Sequence, residues 1–387
     1  MGSRWVRQAC RVVALTATAT LSWTAPTWPA ERPAGRVLPA AKAAFPAAEA
    51  RPAVLRGVYV PPGRLVRGIG EREWRALRRA GLNAIVVDVR DDRGKVTLRP
   101  WETGDDTARG ERVGSAPRVL VRQARAHGMV PVARIVALRD ETAGPDRPQL
   151  FLLGGGGEPW VGPAGERWLD PRSSAVRAYL AYLARMAADA GFAEIHLDYV
   201  RFPSEGGGRG LARPAAAERV AAIRQLVAGV REALEGTGAT LSVAMFGQAC
   251  SVPGDMGIGQ QCEAMASAAD VLAPMVYPSH FGPGVFGIPV PEREPARTVA
   301  LALAATGQRV GPARVRPWLQ AFSLRVTYGP VELAAQIEAA EKAGTAGWFL
   351  WNPSGRYPYL AAATTLVRES PGMVPSRAAV TGGWSRP

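Results

Sequence analysis

The 387-residue sequence predicts a single-domain (β/α)8 TIM barrel. Three observations carry this expectation. Eight short, apolar, β-rich runs alternate with eight helical patterns, and such alternation implies a parallel sheet. Eight units packed into residues 55–370 match the size of a closed barrel of this type. The first strand-to-helix turn, "VYVPPGRL", lacks the G-x-G-x-x-G loop that an open, doubly wound sheet would use for phosphate.

The elements run in order along the chain. The first run is "LRGVYVPP" (55–62), and a helical pattern lies around 71–80. "NAIVVDVRDD" (83–92) ends on Asp88, Asp91 and Asp92, of which the last two, with Arg93 and Gly94, read as a turn. After a helix at 115–127, "MVPVARIVAL" (129–138) carries Arg134 near its end, and Asp140 follows as a rim residue or cap. The helix at 173–190 has polar capping candidates ahead of an apolar 3.6 period and Gly191 just after it. In "EIHLDYVRFP" (194–203) Ile195 and Leu197 alternate with His196 and Asp198, and Arg201 and Glu205 come next. A helix at 215–235 leads to "ATLSVAMFG" (239–247), and one at 259–268 to "DVLAPMVYP" (270–278), which places Tyr277 and then His280 at its end. A helix at 294–306 precedes "VRPWLQAFS" (315–323), with Gln320 near its end. The pattern "GPVELAAQIEAAEKAG" repeats the capped plan over 330–343. "GWFLWNPSG" (347–355), with Trp351 and Asn352, and a helix at 357–368 close the series.

The flanks read differently. Arg4, Arg7 and Arg11 precede the apolar stretch "VVALTATATLSW" (12–23), which is too short to span a bilayer and suits a signal segment. Residues 1–30 are therefore expected to be a signal peptide and the chain to be exported, with no stable membrane span afterwards. Cys10 lies ahead of the apolar run, which argues against lipid attachment. Residues 31–54 form an Ala/Pro-rich linker and 371–387 a frayed tail. Cys250 and Cys262 remain after export; a disulfide closing that short loop fits an oxidising compartment, and two unpaired thiols are the alternative.

A hydrophobic fraction of 47% with 21% charged residues suits a globular domain with a real core. The formal charge is +14, and of 47 basic residues only Lys42, Lys95 and Lys342 are lysines, which leaves 44 arginines. No run of five or more basic residues and no basic helix with interleaved aromatics occurs, so no nucleic-acid partner is expected. A positive surface does concentrate polyanions such as wall polymers. The three histidines have no H-E-x-x-H spacing and no C-x-x-C pair is present, so no metal and no cofactor is expected.

In such barrels chemistry sits at the C-terminal ends of the strands. This sequence gathers acids, arginines, an amide and aromatics there, a combination that suits sugars, whose hydroxyls take polar partners and whose ring faces lie on aromatic rings. Beyond this, "NAIVVDVRDDRG", "PVARIVALRD", "GFAEIHLDYVRFPSEG", "GIGQQCEAMASAADVLAPMVYPSHFGPGVFG", "RPWLQAF" and "GWFLWNPSGRY" occur in the same order as in a bacterial family. From about Arg56 to Tyr359 the chain resembles that family of glycoside hydrolases, whose barrel domain was formerly catalogued as of unknown function. The resemblance implies a TIM barrel, a carbohydrate substrate and glycosidic hydrolysis. One departure stands out: the fifth strand of the family commonly reads Ser-x-Asp-x-Phe-Gly, and here Ala244 takes the place of the aspartate.

Glycoside hydrolysis usually needs two carboxyl groups flanking the bond. Asp198 is the first candidate, since it lies on the strand face opposite Ile195 and Leu197. An arginine partner, Arg134 or Arg201, would keep it ionised; a purely structural ion pair is the alternative. For the second carboxyl, Glu205 competes with a solvated loop role and Asp88 with a backbone-anchoring role. Tyr277 and Trp351 are either stacking surfaces or barrel filling, and the short "PMVY" and "LWN" segments are similar to the mouth of chitinase-like barrels, which suggests N-acetylated wall sugars. His280 is a hydroxyl donor or a plain loop residue, and Gln320 and Asn352 are expected at a binding rim. The overall expectation is an exported barrel that cleaves a cell-wall or extracellular polysaccharide, with a non-catalytic glycan-binding barrel as the alternative.

Overall fold

The computed structural model describes residues 53–65, 68–97, 117–143 and 147–369. The expected signal segment, most of the linker and the C-terminal tail lie outside the described residues. Eight parallel strands close in sequence order: β1 Leu55–Val60, β2 Ala84–Arg90, β3 Val130–Val136, β4 Glu194–Asp198, β5 Thr240–Phe246, β6 Val271–Met275, β7 Trp318–Gln320 and β8 Gly347–Trp351. Among the described residues the helices are α1 Pro62–Leu65, α2 Glu71–Arg79, α3 Pro117–Ala126, α4 Ser174–Asp189, α5 Ala216–Ala233, α6 Cys262–Ala268, α7 Pro295–Val310, α8 Pro330–Lys342 and α9 Leu360–Glu369. The barrel closes where Leu55 pairs with Gly347. Gly347 has φ +97°, and a Cβ there would collide with the carbonyl oxygen of Leu55, so only glycine lets the first and last strands meet.

Each expected strand is present and shorter than its apolar run, most markedly β7 and β4. β7 keeps three residues of 315–323, and β4 stops at Asp198 instead of continuing to Pro203. The reason in β4 is Tyr199, whose φ of +53° turns the chain out of the sheet. The helix expected from 259 starts at Cys262, because Gly259 sits at φ +83° and belongs to the preceding loop.

Strand parity divides the residues into two sets. Ile85, Val87, Ile195, Leu197, Leu241 and Val243 are fully buried on the helix side, each stabilising the layer by roughly 1.5–3 kcal/mol. The other parity fills the barrel. Near its base the Glu194 carboxylate accepts Arg316 Nη1 at 2.6 and 2.7 Å and Ser242 Oγ at 2.6 Å. One level up, Trp318 Nε1 donates to His196 Nε2 at 3.0 Å, so His196 carries its proton on Nδ1, 2.8 Å from Ser242 Oγ. Burial lowers the His196 pKa to about 4, which keeps the ring neutral in this chain of bonds. Leu55, Val86, Val132, Ala273 and Phe349 fill the space around it.

The loop after β5 is closed by a disulfide between Cys250 and Cys262, 12 residues apart. Opening a loop of that length costs about 3 kcal/mol of stability on the chain-entropy account. Thermal unfolding of the Cys250→Ser/Cys262→Ser protein should therefore show a melting point several degrees lower. An unchanged melting point would mean that the loop is held by its other contacts alone.

Candidate active site

Four strand ends build the site. Arg134, on β3, is 3% exposed and bridges two aspartates. Its Nη1 donates to Asp88 Oδ1 on β2 at 2.6 Å. Its Nε and Nη2 both reach Asp198 Oδ2 on β4, at 2.9 and 2.8 Å. Tyr59, on β1, donates its hydroxyl to Asp88 Oδ2 at 2.6 Å. Asp198 Oδ1 accepts the backbone N–H of Tyr199 at 2.7 Å and has no second partner among the described residues.

Aromatic rings wall this cluster. Trp351, on β8, stacks on Tyr59 with centroids 4.2 Å apart, and Trp318 meets Trp351 edge-on. The Arg134 guanidinium lies 5.0 Å from the Trp351 ring and 5.6 Å from Tyr59, cation–π contacts that fix its plane. Just past β6, Tyr277 is buried, with its ring edge toward His280 and Phe322.

The electrostatics separate the two aspartates. Burial alone would raise the Asp198 pKa, but Arg134 and the Tyr199 N–H outweigh it and hold the carboxyl below the ordinary range. Burial pushes Asp88 upward, against the pull of Arg134 and Tyr59. Asp88 is 2% exposed with both oxygens occupied, whereas Asp198 is 8% exposed with a lone pair to spare on Oδ1.

The remaining expected residues take other roles. Arg201 does not partner Asp198, a correction to the sequence expectation; its Nη2 donates to Glu205 Oε1 at 2.7 Å. The guanidinium is enclosed by the rings of Trp168, Phe246 and Tyr199 at 4.6, 5.0 and 5.3 Å. Glu205 is correspondingly no loose loop acid: Arg201 overrides burial and, with the Ser204 N–H, keeps its pKa low. Gln320 is fully buried; its Oε1 accepts Ser279 N and its Nε2 donates to Phe322 O, which ties the β6 and β7 loops. Asn352 donates to Ala321 O and accepts Ser354 N, fixing the turn after β8. Both line a small hollow with Phe322, Tyr357 and Tyr359. His280 is exposed on a short 3-10 turn.

Two residues were not singled out from sequence. Tyr59 shares its strand parity with Leu55 and Gly57, which is the signal that places it inside the barrel end. Gln260 lies in a loop and left no periodic signal. Ala244 is one step past the Leu197–Val243 pair, so its methyl group stands on β5 at the level of Asp198. Three other buried loop acids sit on arginines: Asp140 on Arg90, Asp255 on Arg219 and Glu292 on Arg325. A concavity larger than the hollow beside Gln320 and Asn352 lies elsewhere, between α7 and α8, and none of the candidate residues lines it. Among the described residues no helix is long and apolar enough to cross a membrane.

The C-terminal face of this closed (β/α)8 barrel thus carries an arginine-bridged aspartate pair and stacked aromatics. The chain belongs to the family described as "Putative glycosyl hydrolase domain", whose model matches residues 63–357. Solved structures show the same fold. The glycoside hydrolase domain of PgaB (BpsB) from Bordetella bronchiseptica is 14% identical with a TM-score of 0.58, covering 80% of this chain and 98% of that one. The α-galactosidase of Thermus thermophilus is 17% identical with a TM-score of 0.51, covering 81% and 65%. The catalytic domain of β-amylase from Paenibacillus polymyxa is 12% identical with a TM-score of 0.50, covering 81% and 98%. No curated protein matches the sequence.

Proposed function

We propose that this protein hydrolyses glycosidic bonds in a cell-wall or extracellular polysaccharide, with Asp198 as the reacting carboxylate. The observation that carries the reading is the Asp198 carboxylate itself, held ionised by Arg134 beside the Tyr59–Trp351 stack with Oδ1 only partly occupied. An ionised carboxylate opposes the positive charge that develops at the anomeric carbon, either by bonding to that carbon or by stabilising it electrostatically. A sugar ring on Trp351 would bring its anomeric carbon toward that oxygen. Asp88 shares Arg134 with Asp198, and burial raises its pKa. It then supplies the proton that the departing glycosidic oxygen takes up as its bond to the anomeric carbon breaks. Glu205 pairs with Arg201. Tyr277, His280 and the hollow floored by Gln320 and Asn352 extend the binding surface along the glycan. The signal-like leader, the disulfide and the positive net charge support a site of action at the cell surface.

A specific observation favours a second reading. Ala244 stands where a carboxyl would flank Asp198, and both other candidate acids are committed to arginines. This is the arrangement of a barrel that binds glycan without cleaving it. Incubating the purified protein and its Asp198→Asn variant with peptidoglycan and other wall glycans decides between them. Release of reducing ends by the native protein alone supports hydrolysis, while equal binding with no release from either supports the binding barrel.

A further inference from the structure

The outward face of α2 carries a row of like charge. Trp74 and Leu77 bury the inner face of this helix, while Arg72, Arg75 and Arg79, three and four residues apart, are exposed on the opposite one. At 1.5 Å of rise per residue, their spacing along the axis is about 4.5 and 6 Å. Arg368, exposed on α9, extends the row, since its Nη1 donates to Arg79 O at 3.2 Å. Arg78 turns aside to the carbonyl oxygens of Leu82 and Gly128.

The acids of α2 do not neutralise the row. Glu73 pairs with Arg64, and Glu71 Oε1 lies 3.2 Å from Nε2 of His127, whose ring stacks on Trp74. Among the described residues the side chains of Arg72, Arg75 and Arg79 enter no ion pair. Arg185, Arg231 and Arg309, exposed on α4, α5 and α7, each have an acid: Asp189, Asp270 and Glu263. Like charges at i and i+4, as Arg75 and Arg79 are, oppose the helix that carries them. An anion lying across the row removes that repulsion.

The chemistry this row recognises is a chain of phosphates. A guanidinium fork takes two phosphate oxygens at once, and successive forks meet successive phosphates of one polymer. No aromatic ring is exposed on α2, so bases would find no stacking platform there. No large apolar side chain is exposed on it either, so nothing on this face would enter a lipid surface.

We propose that the outer face of α2, with Arg72, Arg75, Arg79 and Arg368, docks a linear polyol-phosphate polymer of the cell surface and holds the barrel beside the wall. This rests on the reading of an exported protein. It does not depend on whether Asp198 reacts, because the row lies on the helical layer and the site on the strand ends.

The test measures binding of the purified protein to soluble poly(glycerol phosphate) by fluorescence anisotropy over a salt series. One variant is Arg72→Gln/Arg75→Gln/Arg79→Gln. Its control is Arg185→Gln/Arg224→Gln/Arg297→Gln, which removes the same charge from exposed positions of α4, α5 and α7. The α2 variant should lose affinity by roughly 10- to 100-fold, and its slope of log K against log salt should shrink by about two. The control should stay near the native value, and Asp198→Asn should bind as native protein does. Equal losses in the two charge-matched variants would mean that net charge alone acts, and would overturn the proposal. So would a native protein that does not bind the polymer. Single-stranded DNA or phosphatidylglycerol vesicles bound as tightly as the polymer through the same three arginines would overturn the choice of partner. None of these outcomes changes if the native protein releases no reducing ends from glycan.

Discussion

Asp198→Asn should abolish glycan hydrolysis while leaving the fold and glycan binding in place. Asparagine keeps the shape of aspartate and can still accept from Arg134 through its carbonyl oxygen. It loses one hydrogen bond, since its NH2 group replaces the oxygen that accepted the Tyr199 N–H, and the barrel mouth remains standing without it. It cannot carry negative charge against the developing cation at the anomeric carbon. Losing a preorganised electrostatic partner of this sort costs on the order of 10³-fold in turnover, and more if Asp198 bonds to the sugar. The rate of the native protein should depend on pH in a matching way. The Asp198 pKa is lowered in the fold, so the carboxylate remains ionised below the usual range near 3.9, and the acid limb of kcat/KM belongs below it too. An acid limb well above that range would assign the titrating group elsewhere.

Arg134→Met should produce the largest loss of stability. It strips the partner from two buried carboxylates at once, and breaking a buried pair from one side costs about 3–5 kcal/mol. The pH dependence has a definite sign. In the native protein the lowered pKa of Asp198 contributes stability above the unfolded value near 3.9, and that contribution is lost as pH falls through the folded value. Without Arg134 burial is opposed only by the Tyr59 hydroxyl on Asp88 and by the Tyr199 N–H and His196 on Asp198, and the folded pKa values of both carboxyls should rise above the unfolded ones. The deficit of the variant should therefore be largest near neutrality and shrink as acid neutralises the two groups. Denaturant unfolding of both proteins near pH 7 and near pH 5 measures this. A deficit that grows toward acid would contradict the bridged arrangement. Arg134→Lys should recover part of the charge but not the fork that reaches both aspartates.

The barrel was readable because its signal is repeated: apolar strand, amphipathic helix, eight times over. Parity within strands also carried real information. It placed Asp198 inside the ring beside His196 and opposite Ile195 and Leu197, where the structure has it. Partner choice was harder to read. Arg201 is three residues from Asp198, but the left-handed turn at Tyr199 reverses the chain and delivers its guanidinium to Glu205. Arg134 is 64 residues from Asp198 in sequence and becomes its partner through the pairing of β3 with β4. Gln320 and Asn352 looked like rim binders because they are polar residues at apolar strand ends. Their amides also satisfy loop backbone while they line the small hollow, a demand that a one-dimensional pattern does not display. Gln260 escaped notice for the same reason, since its three partners come from β5 and the segment after β4.

The most direct measurement is a crystal structure of Asp198→Asn protein soaked with an N-acetylated oligosaccharide from wall glycan. The expected result is a sugar ring lying on Trp351 with its anomeric carbon about 3–3.5 Å from the side chain of residue 198. Sugar bound away from the barrel mouth, for instance in the outer groove between α7 and α8, would contradict the assignment of this aspartate as the reacting group.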